Sequence, residues 1–211
     1  MDRVVFAGCL LLIVFGILLG VGMGSAEITA NQVRGVFELL SFAGSAVTAV
    51  VAVFALTSWQ AQFRHAERFK SVKTLLEASN DIHKMRCYLF KLQEKFLWLL
   101  ENDRKQNDLI DAEEASKKEE WFAIQDRYTK AWSAAEIFLS ERERSNVPLT
   151  GKKLRAISFD LPMQLTILYA NSQVLVDRNS FAWAAREIAD NYGGQASATV
   201  AAIERIFSAT K

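Results

Sequence analysis

Cysteine, histidine and proline each occur only twice in this chain, and two long stretches near its start carry no charge at all. Each scarcity excludes something. Two cysteines cannot build a disulfide framework. Cys9 falls in an apolar run and Cys87 in a polar region, and both read as small apolar residues. His83 and Cys87 are four apart and share a helix face, but zinc needs about four ligands and only the distant His65 remains. No metal site is expected. There is no nucleophile elbow and no glycine-rich nucleotide loop. Gly151-Lys152 is followed by Lys153 where a phosphate-binding loop needs a hydroxyl residue, and the earlier glycine is missing. The reading is therefore of a protein that is not an enzyme and holds no cofactor. A net charge of +1 gives no general reason to bind nucleic acid directly.

The missing charge is the most informative gap. Val4–Ala26 and Leu39–Phe63 contain no charged residue. A helix rises about 1.5 Å per residue and the hydrocarbon core of a bilayer is roughly 30 Å thick, so about 20 apolar residues span it. Val4–Met23 meets that length with Leu, Ile, Val, Phe and Gly. Leu39–Leu56 meets it once Phe37 and Thr57-Ser58-Trp59 are added, Trp59 being an interfacial residue type. Two spans are expected, about 4–26 and 37–59, joined by a polar turn over Glu27–Glu38. Gly24-Ser25-Ala26 has the look of a signal cleavage site, but Val4–Met23 exceeds the usual apolar length of a signal peptide, about 7–15 residues. Phe6-Ala7-Gly8-Cys9 lacks the hydrophobic region that lipidation would need in front of it.

Orientation follows from basic residues. The turn holds only Arg34, whereas Arg64, Arg68, Lys70 and Lys73 follow the second span. Positive residues stay cytoplasmic. The expectation is a multi-pass protein of the plasma membrane with both termini in the cytoplasm. The basic residues near the membrane end are also candidates to touch anionic lipid headgroups.

Within the first span, Gly8, Gly16, Gly20 and Gly24 share one face. The second span carries Ser41, Ser45 and Ala49 at the same spacing, beside Gly44, Thr48 and Ala52. Small residues every four positions let helix backbones approach closely. This face serves either to pack the two spans together or to join copies in a homo-oligomer. Glu38 stands at the outer mouth of the second span, where solvation beside Arg34 accounts for it; if copies line a pore, it forms an acidic ring.

The rest reads as a water-soluble, antiparallel helical bundle over 60–211, giving an all-α fold in two parts, 1–59 and 60–211. Only Gly151, Gly193 and Gly194, with Pro148 and Pro162, interrupt it. A stripe from Phe63 through Val72, Leu76, Ile82, Met85, Leu89, Leu92 and Phe96 predicts one long helix over about Thr57–Glu101, continuous with the second span. A second helix is expected from Asp111 to Arg144, with Asp111 and Glu114 as a capping box and Glu113–Glu120 as a solvated face. Ser145–Asp160 reads as the longest irregular stretch. Its basic residues Lys152, Lys153 and Arg155 are the first choice for a regulatory contact with an anionic partner. The second helix is expected to turn Trp121 and Tyr128 inward. Asp160 and Pro162 mark the start of a helix that turns Leu165 and Phe181 inward, Gly193-Gly194 its end, and a last helix follows over Ala196–Ala209.

The hairpin Val4–Trp59, the basic exit Arg64–Lys73 and the all-helical region behind it resemble, in organisation, the two-transmembrane effectors of bacterial anti-phage systems, those partnered with retrons or nucleotide-signalling enzymes. The resemblance implies an inner-membrane protein that oligomerises and permeabilises the bilayer when a cytosolic protein or nucleoprotein regulator releases it. The other reading of the same architecture is a non-conducting anchor, scaffold or immunity-type protein that recruits a cytosolic partner.

Overall fold

The computed structural model describes residues 30–175 and 178–210, with side chains from 41 onward apart from 43 and 173–175. Every regular element among them is helical. The first apolar run, with Cys9, Gly16, Gly20 and Gly24, lies outside the described residues.

Helix α1 spans Ala30–Asn80 without a break. It begins inside the stretch expected to be a polar turn. Between Ala30 and Glu38 only Gly35 disfavours a helix, at about 1 kcal/mol, so nothing local stops propagation. The chain divides into two units between Gln60 and Ala61.

In the first unit, α1 is the one helix among the described residues long and apolar enough to cross a membrane, and none of its apolar stretch is buried. Phe42, Val53, Phe54, Leu56 and Trp59 are all more than half exposed. The hydroxyls of this stretch bond inward. Ser45 donates to the Ser41 carbonyl at 2.9 Å, Thr48 to the Gly44 carbonyl at 2.8 Å and Thr57 to the Phe54 carbonyl at 3.0 Å. A polar group in an apolar medium must find a partner, and here the helix's own carbonyls supply it.

In the second unit, the end of α1 turns Val72, Leu75, Ala78 and Ser79 into the core. The helix does not continue to Glu101 as the apolar stripe suggested. It stops at Asn80, passes through a 3-10 turn at Ile82–Lys84, and resumes as α2, Met85–Glu101. Ser79-Asn80-Asp81 are weak helix formers that compete for backbone bonds. The tighter turn keeps the stripe in register, so Ile82 and Met85 are both fully buried. Asn102 ends α2, its amide and backbone N–H both bonding the Trp98 carbonyl at 3.0 Å. Asp103 and Arg104 then adopt left-handed conformations (φ 50° and 64°), a tight reversal made without glycine.

Helix α3 spans Asp108–Glu136. Its cap is Asn107, whose side chain accepts from the Leu109 and Ile110 N–H groups, rather than the expected Asp111. Asp111 and Glu114 instead both pair with Lys95 of α2, at 2.8 and 3.2 Å. Glu113 pairs with Lys91 at 2.5 Å. The charged start of α3 therefore grips its neighbour and is not merely a solvated face. The helix also ends earlier than expected, because Ser140 caps a separate short helix α4, Glu141–Ser145. The capping box lies here: the Glu143 N–H donates to Ser140 Oγ, and the Glu143 carboxylate accepts from the Ser140 N–H at 2.8 Å.

Helix α5 spans Gly151–Leu175 and α6 spans Arg178–Ser208. Three expectations fail in this half. Ser145–Asp160 is not one irregular stretch, since α5 opens at Gly151, with the Thr150 hydroxyl accepting from the Lys153 N–H at 3.3 Å. Pro162 lies inside α5 rather than at its start. Gly193 and Gly194 lie inside α6 and end nothing. Tyr192, Ala196, Thr199 and Ile203 are buried on one face across that glycine pair. Their burial outweighs the roughly 1 kcal/mol that each glycine costs a helix. The interior of the bundle forms where α2 meets α3, α5 and α6, and α5 meets α3 and α6. Trp121, Tyr128, Phe181, Leu165 and Leu89, all expected inward, are buried there.

Candidate functional site

Three large aromatic residues fix the bundle, and each bonds a backbone carbonyl at an irregularity. Proline has no N–H, so Pro162 leaves the Ser158 carbonyl without its helical donor. The buried Trp121 indole N–H supplies that bond, at 3.1 Å. Tyr192 donates to the Ile82 carbonyl in the 3-10 turn at 2.9 Å. Tyr128 donates to the Leu149 carbonyl at 2.6 Å, and the Leu149 N–H donates to Thr199 at 3.1 Å, which holds the entry to α5 from both sides. Burial pushes the Tyr128 and Tyr192 phenols well above their ordinary range. Burial, then the Glu114 carboxylate, does the same for Tyr88. Sequence reasoning placed Trp121 and Tyr128 inward as apolar bulk; their polar ends answer backbone irregularities that periodicity does not reveal.

The tempting Gly151-Lys152 pair has a packing explanation. A Cβ at Gly151 would lie 2.9 Å from Trp132 Cδ1 and 3.0 Å from Cγ, so the helix start and the indole meet only because the side chain is absent.

The residues marked for membrane contact fall into distinct settings. Around Gly44 a Cβ would meet none of the described residues within 4 Å. Ser45 and Ala49 are exposed on the same helix. Glu38 belongs to α1, but its side chain lies outside the described residues. Of the four basic residues at the exit, Arg64, Lys70 and Lys73 are exposed, with Lys73 facing Glu77 at 3.9 Å. Arg68 differs: its guanidinium donates to Glu143 at 2.7 Å. Burial raises the Glu143 carboxyl, but bonds from the Ser140 backbone and hydroxyl, with the Arg68 charge, outweigh it and hold the group below the usual carboxylate range. Arg68 is thus committed to the bundle, joining the end of α1 to α4.

Lys152, Lys153 and Arg155 are all exposed on the opening turns of α5, and none forms an ion pair among the described residues. They stand on a helix face, which corrects the loop reading. His83 and Cys87 are both exposed. No cluster of three or more His, Cys, Asp or Glu suited to a metal occurs among the described residues.

The described residues form an apolar helix with three hydroxyls bonded to its own backbone, a basic exit, and a helical bundle with a basic cluster that makes no ion pair among them. Compared with protein families, characterised proteins and solved structures, the chain matches none.

Proposed function

We propose that this chain is a membrane effector of the bacterial inner membrane: a two-span transmembrane hairpin carrying an antiparallel helical bundle in the cytoplasm. In this reading both termini are cytoplasmic. The hairpin oligomerises and permeabilises or depolarises the bilayer when a cytosolic protein or nucleoprotein regulator acts on the bundle, as in anti-phage defence. The observation that carries the membrane assignment is the stretch of α1 from Phe42 to Phe63. Its large apolar side chains are exposed, and three of its hydroxyls, those of Ser45, Thr48 and Thr57, bond its own backbone. Water is a poor surrounding for such a surface, and lipid or other apolar helices are a good one. A Cβ at Gly44 would meet none of the described residues, which leaves the small-residue face available to a helix neighbour.

Induced expression with a membrane-potential dye tests the effector activity. Depolarisation on induction is expected, and sustained polarisation with and without the neighbouring genes counts against it. A second reading, a non-conducting anchor that recruits a partner, is favoured by one observation. The Ser45 and Thr48 hydroxyls donate within their own helix, which leaves neither proton for a bond between copies. Gly16→Leu with Gly20→Leu separates the two. It abolishes depolarisation if the hairpin is the working part, and it spares partner recruitment if the hairpin only anchors.

A further inference from the structure

Among the described residues, no element covers one face of α5. Phe159, Met163 and Ile167 follow one another at helical spacing and are 60%, 64% and 49% exposed. At 100° per residue they form a strip along a single side. Ala156 and Ala170, both exposed, continue it, and Lys152 and Arg155 stand on the same side at its N-terminal end. Lys153 and Asp160 flank it, and Asp160 is the single carboxylate on α5. Phe159 is braced from behind by Phe122, ring centroids 5.6 Å apart, so the strip is presented rather than folded away.

We propose that this face of α5 docks on the surface of an anionic lipid bilayer. The inference rests on the reading of the chain as membrane-anchored, and adds a second, peripheral contact made by the bundle itself. Three features choose lipid over a protein partner. The strip is the outer side of a single helix, and the groove that α5 forms with α6 is lined by Ile157, Leu161 and Gln164 rather than by Phe159, Met163 or Ile167. Its large residues can enter the boundary between headgroups and acyl chains, as in helices that lie in the interface plane. Lys152 and Arg155 form no ion pair among the described residues, and they match anionic headgroups in sign. Tethering by the span keeps that surface at high effective concentration, so a weak contact suffices.

The test uses the full chain in bilayers of phosphatidylcholine with or without phosphatidylglycerol. Met163→Cys is introduced with Cys9→Ser and Cys87→Ser, and labelled with a fluorophore that acyl-chain nitroxides quench. A label at Ala123→Cys, exposed on α3, serves as reference. Quenching at position 163 well above that at 123, and stronger with phosphatidylglycerol, is expected. Lys152→Gln and Arg155→Gln should each lower the docked-to-undocked ratio about fivefold. Equal quenching at the two positions, or quenching unmoved by lipid charge and by both variants, overturns the proposal. Cross-linking of two copies through position 163, with the label shielded from the nitroxide, also overturns it and assigns the strip to a protein interface. Alkaline carbonate washing reports the anchor separately. A retained chain with an unquenched label defeats the docking alone, whereas a chain that washes off defeats the anchor reading and the docking with it.

Discussion

The bond from Trp121 to the Ser158 carbonyl shows how one residue licenses another. Proline inside a helix costs about 3 kcal/mol, partly for the donor it removes. Here the indole replaces that donor. Trp121→Phe should therefore cost about 1–3 kcal/mol beyond the loss of contact area, because a buried carbonyl loses its partner. In a Pro162→Ala background an N–H is restored at that position, and the penalty of Trp121→Phe should shrink by about 1 kcal/mol. A double-mutant cycle by chemical denaturation measures it, and strictly additive effects would show that the two sites do not share the carbonyl. Gly151→Ala should destabilise by about 1–3 kcal/mol, since the added Cβ would lie 2.9 Å from Trp132 and that indole is itself buried. A melting curve of that variant indistinguishable from the parent would refute the close-approach argument. At this scale the sequence is only half legible. That Trp121 and Tyr128 face inward follows from spacing; which carbonyls they answer depends on chain segments far away in sequence. Gly151 beside Lys152 invites a phosphate reading because the Trp132 ring that explains the glycine is not its neighbour in the chain.

Among the elements, boundaries are where sequence and structure part. The apolar stripe from Phe63 to Phe96 is visible as a pattern, and its burial from Val72 onward agrees with it. The break at Asp81 is not visible in that pattern, because a 3-10 turn preserves which residues face inward while changing the helix. Pro162 and Gly193-Gly194 look like boundaries by local preference, yet α5 and α6 run through them, since tertiary burial and the Trp121 bond outweigh those preferences. Ser140 and Glu143 form a cap that could have been found from their spacing alone. The link from α4 to α1 through Arg68 and Glu143 has a clear acid signature. Glu143 ionises below its ordinary value of 4.5 in the folded chain, so its contribution is complete above that pH and fades as pH falls through the lower folded value. Glu143→Gln should lose about 1 kcal/mol near neutral pH, and the difference from the parent should vanish in acid. A constant difference at all pH values would mean that the charge plays no part.

For the whole molecule, an uncharged run long enough for a helix to cross a bilayer is legible from composition alone. The bundle's own arrangement was less so, since which helix lies against which is a matter of side-chain shape. Its three strongly perturbed tyrosines act together. Tyr88, Tyr128 and Tyr192 all hold their protons above the ordinary phenol value of 10.0. A raised folded value gives stability that is complete below the unfolded value and is lost as pH climbs past it, because the unfolded chain releases protons that the folded one keeps. Thermal midpoints should therefore hold from neutral pH to about 10 and fall beyond it, and a midpoint unchanged to about pH 11.5 would contradict the burial of these phenols.

The bond between Tyr192 and the Ile82 carbonyl joins positions 110 residues apart, and the Arg86 pairing with Asp190 joins positions nearly as distant. During synthesis the exposed apolar stretch from Phe42 to Phe63 leaves the ribosome long before Tyr192 is made. The core of the bundle cannot close until that residue emerges. Anything that receives the apolar helix as it emerges therefore meets it while the bundle is still an open chain, so the order in which the two parts appear, as much as the final fold, sets what that helix first encounters.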